Sequence, residues 1–125
     1  MTEKEVIQFE KTQSQLKELY TEIGLLLQKP GYKVNKFKLN LINQIINESN
    51  ELLGDKYKPF SGFDKFDVES VLTATDVSLV LKQYLICLER LRCDNIINRG
   101  ISDWWWEIDG NISEIRAQHP VKFIR

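Results

Sequence analysis

A chain of 125 residues, 42% apolar and 28% charged, is long enough to bury a core of its own and reads as one domain. Its formal charge of -1 excludes a global field that would draw it to nucleic acid or to an anionic membrane surface. No apolar run approaches the roughly 18 residues of a membrane span.

No signal peptide opens the chain, and its two cysteines, Cys87 and Cys93, fall six apart on one expected helix. That spacing puts them about 9 Å apart along the axis and about 120° around it, too far to bond to each other. Reduced thiols without an export signal lead us to expect a cytoplasmic protein. Every arginine (90, 92, 99, 116 and 125) lies in the last third, and the cations before them are all lysines.

Thr2-Glu3-Lys4-Glu5 has the form of a capping box. After it Val6, Phe9, Leu16, Tyr20, Ile23 and Leu27 recur at heptad spacing, with Gln13 the one polar residue in the stripe. The pattern predicts a long amphipathic helix that stops near Gln28, ahead of Pro30-Gly31. It covers only about three heptads, which favours an intramolecular bundle over a two-stranded coiled coil. The stretch from Lys29 to Lys38 has four lysines and no acid. It reads as a solvated turn, with no arginine and less charge than a nucleic-acid contact would want.

Asn35 is placed to cap a second helix. Its expected buried side is Phe37, Leu41, Ile45 and Leu52, with Ile42, Ile46 and Leu53 beside them, and Gly54 is placed to end it. Tyr57, Phe60, Phe63 and Phe66 then follow at every third residue around Pro59 and Ser61-Gly62. Aromatics so spaced in a crossover read as pegs pushed into the side of a bundle, or as an aromatic recognition surface. Asp67-Val68-Glu69-Ser70 predicts one short helical turn.

Thr73-Ala74-Thr75-Asp76 repeats the capping-box form and opens the most apolar segment, Thr75 to Asn98. Val77, Leu81, Tyr84, Leu88 and Leu91 hold one helix face, widened by Leu79, Val80, Leu85, Ile86 and Cys87. A helix apolar over most of its circumference belongs at the centre of the core. Gly100 is its expected stop.

The last segment, Asp103 to Arg116, reads as a β-hairpin turning at Asp109-Gly110, with a pair of short helices as the other reading. The expected fold is therefore mainly α: a bundle of three to four helices packed antiparallel or nearly so, with an aromatic C-terminal hairpin or helical pair on one end. Residues 1–118 form the compact part of a single domain over 1–125, and 119–125 an extended tail.

Three consecutive tryptophans, Trp104, Trp105 and Trp106, are the strongest candidate for function. In a strand the outer two face one way and Trp105 the other, so at least one indole should face away from the core. Tryptophan dominates interface hot spots, and Arg99 and Arg116 are candidates for the rim. The competing reading is that all three rings close one end of the bundle.

One histidine and two cysteines without a C-x-x-C offer no zinc site, and no glycine-rich phosphate loop is present. Asp64, Asp67 and Glu69 lack the spacing of a calcium loop, and Cys93, Asp94 and His119 have no motif to join them. We expect no cofactor and no metal. At four positions, Glu48-x-x-Glu51 with Glu89 and Asp94, the chain resembles the magnesium-holding carboxylates of helical nucleotide pyrophosphatases of the MazG kind. The second pair departs from that pattern, being spaced by five, which sets its carboxylates about 140° apart around the helix.

The expected function is that of a non-catalytic protein-binding module, an immunity, antitoxin or inhibitor protein of bacterial or phage type acting through its aromatic surface. Its general build is similar to that of small helical bacteriocin immunity proteins. The expected partner is a protein or a second copy of the chain, not a membrane or nucleic acid. The alternative is a helical pocket protein holding a small ligand or nucleotide between the aromatic crossover and the tryptophans, in its stronger form a magnesium-dependent hydrolase.

Overall fold

The computed structural model describes residues 1–121. Three helices, α1 (Glu3–Leu26), α2 (Lys36–Tyr57) and α3 (Ala74–Cys93), precede three strands, β1 (Ile96–Asn98), β2 (Trp104–Ile108) and β3 (Asn111–Ala117). The strands form one antiparallel sheet in the order β1-β2-β3. The fold is thus α plus β, and the helical-pair reading of the C-terminal segment is overturned. Residues 122–125, most of the expected tail, lie outside the described residues.

Side chains start each helix. Thr2 accepts the Glu5 N–H at 3.1 Å while the Glu5 carboxylate accepts the Thr2 N–H at 3.0 Å, a complete capping box. Asn35 accepts from Lys38 N at 2.9 Å and Thr73 from Asp76 N at 3.3 Å. Each bond satisfies an amide that the helix itself leaves without a partner. Asn35→Ala should therefore lower stability by about 1 kcal/mol, and Asn35→Gly by only a few tenths, read from urea midpoints.

The helix directions follow from their ends. Just before α2 and α3 begin, Val34 N–H donates to Leu72 O at 2.9 Å and Ala74 N–H to Tyr32 O at 2.8 Å. At the other end the Tyr57 hydroxyl donates to Asp94. So α2 and α3 run parallel, joined by the 58–73 crossover, and α1 is antiparallel to both; the expectation of antiparallel packing throughout is corrected. The chain can make this return because the crossover is long enough to travel back up the bundle. Phe60, Phe63 and Phe66 hold it down, stacking edge-on at 6.0 and 5.1 Å, with Phe60 and Phe63 each 6.4 Å from the Tyr84 ring. Asn43 pins its far end, taking both the N–H and the carbonyl of Phe66. Asp67 to Ser70 is a turn closed by the Asp67 side chain and does not become helix.

Val77, Leu81, Tyr84, Leu85 and Leu88 of α3 are fully enclosed, against Val6, Phe9 and Leu16 of α1 and Leu39, Ile42 and Ile46 of α2. Two expectations for α2 are corrected: Phe37 is 71% exposed and Leu41 lies at the surface, because Leu39 and Ile42 take the inward positions. Gly54, at φ 61°, breaks the regular helix, but one further turn carries on to Tyr57.

α3 also ends earlier than its apolar pattern suggests. Asp94 closes it, and Ile96 to Asn98 leave as β1. From there the chain folds as a meander, and the β2–β3 turn places Asp109 and Gly110 at φ 52° and 81°. Both values are positive, as a two-residue hairpin turn of the primed kind requires.

Candidate functional site

The pleat of β2 separates the three tryptophans. Trp106 pairs with Ile96 across β1 and points into the bundle, where it is fully buried and meets the Phe9 ring edge-on at 5.3 Å. Trp104, two residues earlier, shares that inner side and packs partly buried against the core. Only Trp105 faces outward. The expectation of an accessible tryptophan surface therefore narrows to one ring, and Trp106 is withdrawn from it as a core residue.

Trp105 is held from three directions. Its register partners are Ile97 on β1 and Arg116 on β3. The Arg116 guanidinium lies 5.0 Å from the Trp105 ring centre and that of Arg99 lies 5.7 Å away, both within cation–π range. The indole N–H donates to Asp103 Oδ1 at 2.7 Å, and the same carboxylate oxygen sits 3.6 Å from Arg116 Nη2. One carboxylate thus fixes both the ring and one of its cations. Pleat alternation continues this face through Glu107 and Ile112, the latter 45% exposed.

The edges of this sheet discourage simple strand addition. β1 is three residues long, and β3 carries a bulge in which Ser113, Glu114 and Ile115 oppose Trp106 alone. The Ser113 hydroxyl accepts the Ile115 N–H at 3.0 Å within that bulge. Short edges and bulges are how proteins keep sheets from pairing indiscriminately, so recognition here falls to the face.

The four carboxylates of the magnesium reading do not converge. Glu89 is 5% exposed and committed to Arg92, itself 6% exposed, through two hydrogen bonds of 2.7 Å. Asp94 accepts from Tyr57, while Glu48 and Glu51 belong to α2. Among the described residues no group of three or more His, Cys, Asp and Glu side chains could hold a metal. Cys93 is likewise unsuited to attack: burial and the neighbouring Glu89 carboxylate push its thiol up, away from the thiolate. The crossover aromatics gather on Tyr84 while Trp106 packs on Phe9, and the clefts that Phe66 and Trp106 line are separate ones.

Three apart on a helix, Glu89 and Arg92 have the spacing of an ordinary surface pair, so their own positions do not reveal that the pair is buried. Gln13, the polar interruption in the α1 stripe, is the signal that could have found it, since Gln13 Nε2 donates to Glu89 Oε1 at 3.3 Å. No helix among the described residues is long and apolar enough to cross a membrane. No protein-family model, no curated protein and no solved structure matches the chain.

Proposed function

We propose that the chain is a non-catalytic protein-binding module whose contact is the outer face of the β1-β2-β3 sheet, in narrower form an immunity, antitoxin or inhibitor protein. The observation that carries the reading is Trp105, laid across that face between Arg99 and Arg116 and tied at its indole N–H to Asp103. Tryptophan and arginine are the residues on which interfaces concentrate their energy. A ring already fixed by three neighbours loses little freedom when a partner covers it, which favours affinity. With two guanidiniums beside it, the face suits a partner surface that is apolar at its centre and acidic at its edge.

The test is affinity capture from the native host with the tagged chain and with Trp105→Ala and Arg116→Ala. We expect a stoichiometric protein retained by the wild type and lost from Trp105→Ala, with Arg116→Ala intermediate and the far-UV CD of both variants unchanged. Light scattering of the purified chain checks the case in which that partner is a second copy. A partner retained equally by Trp105→Ala would overturn this assignment of the surface.

A further inference from the structure

A second site lies on different elements. Between the polar face of α2 and the returning segment 64–68 runs a cleft of about 870 Å³. Its α2 wall is lined with side-chain amides, Asn40, Asn43, Gln44, Asn47 and Asn50. Asparagine is a poor helix former, so four on one helix act against its local stability. Departures of this kind gather where a sequence serves something other than folding.

Asn43 shows what these amides can do. Its Nδ2 donates to the Phe66 carbonyl at 2.8 Å and its Oδ1 accepts the Phe66 N–H at 2.7 Å. One amide thereby satisfies both backbone groups of one residue in a non-helical segment, as a neighbouring strand would. Asn50 is engaged too, accepting the Tyr84 hydroxyl at 2.8 Å. Asn40, Gln44 and Asn47 are exposed and make no side-chain hydrogen bond among the described residues.

Spacing and charge say what would use them. Steps of four and three along a helix rise about 6 and 4.5 Å, and alternate residues of an extended chain repeat every 6.6 Å or so. The step from Asn40 to Gln44 therefore comes within about 1 Å of alternate backbone units of one extended segment, and Asn47 falls about 2–3 Å short of the next unit. Glu51, Asp64 and Asp67 line the cleft against the single Lys65, so its charge is acidic. The one aromatic ring in its wall, Phe66, is buried, which leaves no platform on which a sugar or a base would stack.

We propose that this cleft binds an extended, lysine- or arginine-bearing peptide segment of a protein partner. The amides of Asn40, Gln44 and Asn47 hold its backbone, and Glu51 and Asp64 face its cationic side chain.

Selection of short displayed random peptides on the full chain, followed by fluorescence polarisation of a chosen peptide, tests the proposal. The selected peptides should be rich in Lys and Arg. Combining Asn40→Ala with Asn47→Ala should weaken binding by about tenfold for each amide lost, with a melting temperature at or above that of the wild type. Glu51→Lys with Asp64→Lys should turn the preference toward acidic peptides, and Trp105→Ala should leave binding unchanged, which separates this site from the sheet face.

On the wild-type protein, N-methylation of the peptide at alternate positions should abolish binding while the intervening positions tolerate it. Peptides that bind the double asparagine variant as tightly, that tolerate N-methylation throughout, or that never emerge from selection would each overturn the proposal.

Discussion

Trp106→Ala is expected to lower the unfolding free energy by about 3–5 kcal/mol, whereas Trp105→Ala should cost less than about 1 kcal/mol. The two residues are adjacent, chemically identical and in the same strand. What differs is the side of the pleat. Trp106 has no exposed surface and its ring meets Phe9 at 5.3 Å, so alanine there leaves a cavity that the surrounding side chains can fill only in part. Trp105 is half-buried by two arginines that can follow the solvent when it is gone.

Trp106→Phe should fall between the two. It gives up area, but it also removes an indole N–H that has no hydrogen-bond partner among the described residues, a group costly to bury unpaired. A cycle with Phe9→Leu should return a coupling of about 0.5–1.5 kcal/mol for the edge-on pair. Urea denaturation followed by far-UV CD measures all of these without relying on tryptophan fluorescence. A Trp106→Ala midpoint equal to that of the wild type would remove Trp106 from the core. The same contrast shows why a joint Trp105→Ala, Trp106→Ala variant cannot test the interface: it would unfold through Trp106 whatever Trp105 does.

That contrast was legible in the sequence once the segment is a strand, because alternation alone sends Trp104 and Trp106 one way and Trp105 the other. The helix starts were legible for the same reason: Thr2, Asn35 and Thr73 bond to amides three residues ahead, a local matter. The features that escaped depend on distant parts of the chain. Ile96 and Ile97 suit a buried helix as well as a strand, and pairing with Trp106 and Trp105 decides between them. The parallel course of α2 and α3 is set by contacts between 32–34 and 72–74, which no periodicity records. Phe37 sits at the edge of an apolar stripe, and the angle at which α2 packs decides that Leu39 goes inward and Phe37 stays out. The amide row of α2 was visible as composition, but its use was not, because the cleft exists only once the crossover returns alongside it.

Arg92→Met is expected to cost about 3–5 kcal/mol, and Glu89→Gln a comparable amount, because the Arg92 guanidinium cannot give up its charge and a glutamine turns an NH2 toward donors that Glu89 accepts. A buried charge that loses its partner keeps its desolvation penalty with nothing to offset it. Here the pair serves more than itself. Arg92 donates to the backbone carbonyls of Gln118 and His119 at 2.7 and 2.8 Å, and Glu89 Oε2 accepts the Val121 N–H at 2.8 Å. The segment after β3 is thus fastened to α3 through one ion pair, and its amides should exchange faster with solvent in Arg92→Met even where the rest of the fold persists. Replacing both residues with apolar ones should recover much of the stability and none of the fastening, which separates the two roles.

Acid should reproduce part of this effect. Burial alone would raise the Glu89 pKa, but the Arg92 hydrogen bonds, the Val121 N–H, the Arg92 charge and Gln13 outweigh it and hold the carboxyl below its ordinary value of 4.5. A carboxyl with a depressed folded-state pKa contributes stability that is fully present above its unfolded value and is lost as pH falls through the folded one. The wild type should therefore weaken below about pH 4.5 more steeply than Glu89→Gln does, and the two urea-midpoint profiles should converge at the acid end. Parallel profiles from neutral pH downward would show that Glu89 is not charged in the folded protein, and the ion-pair account of the fastening would fall with it.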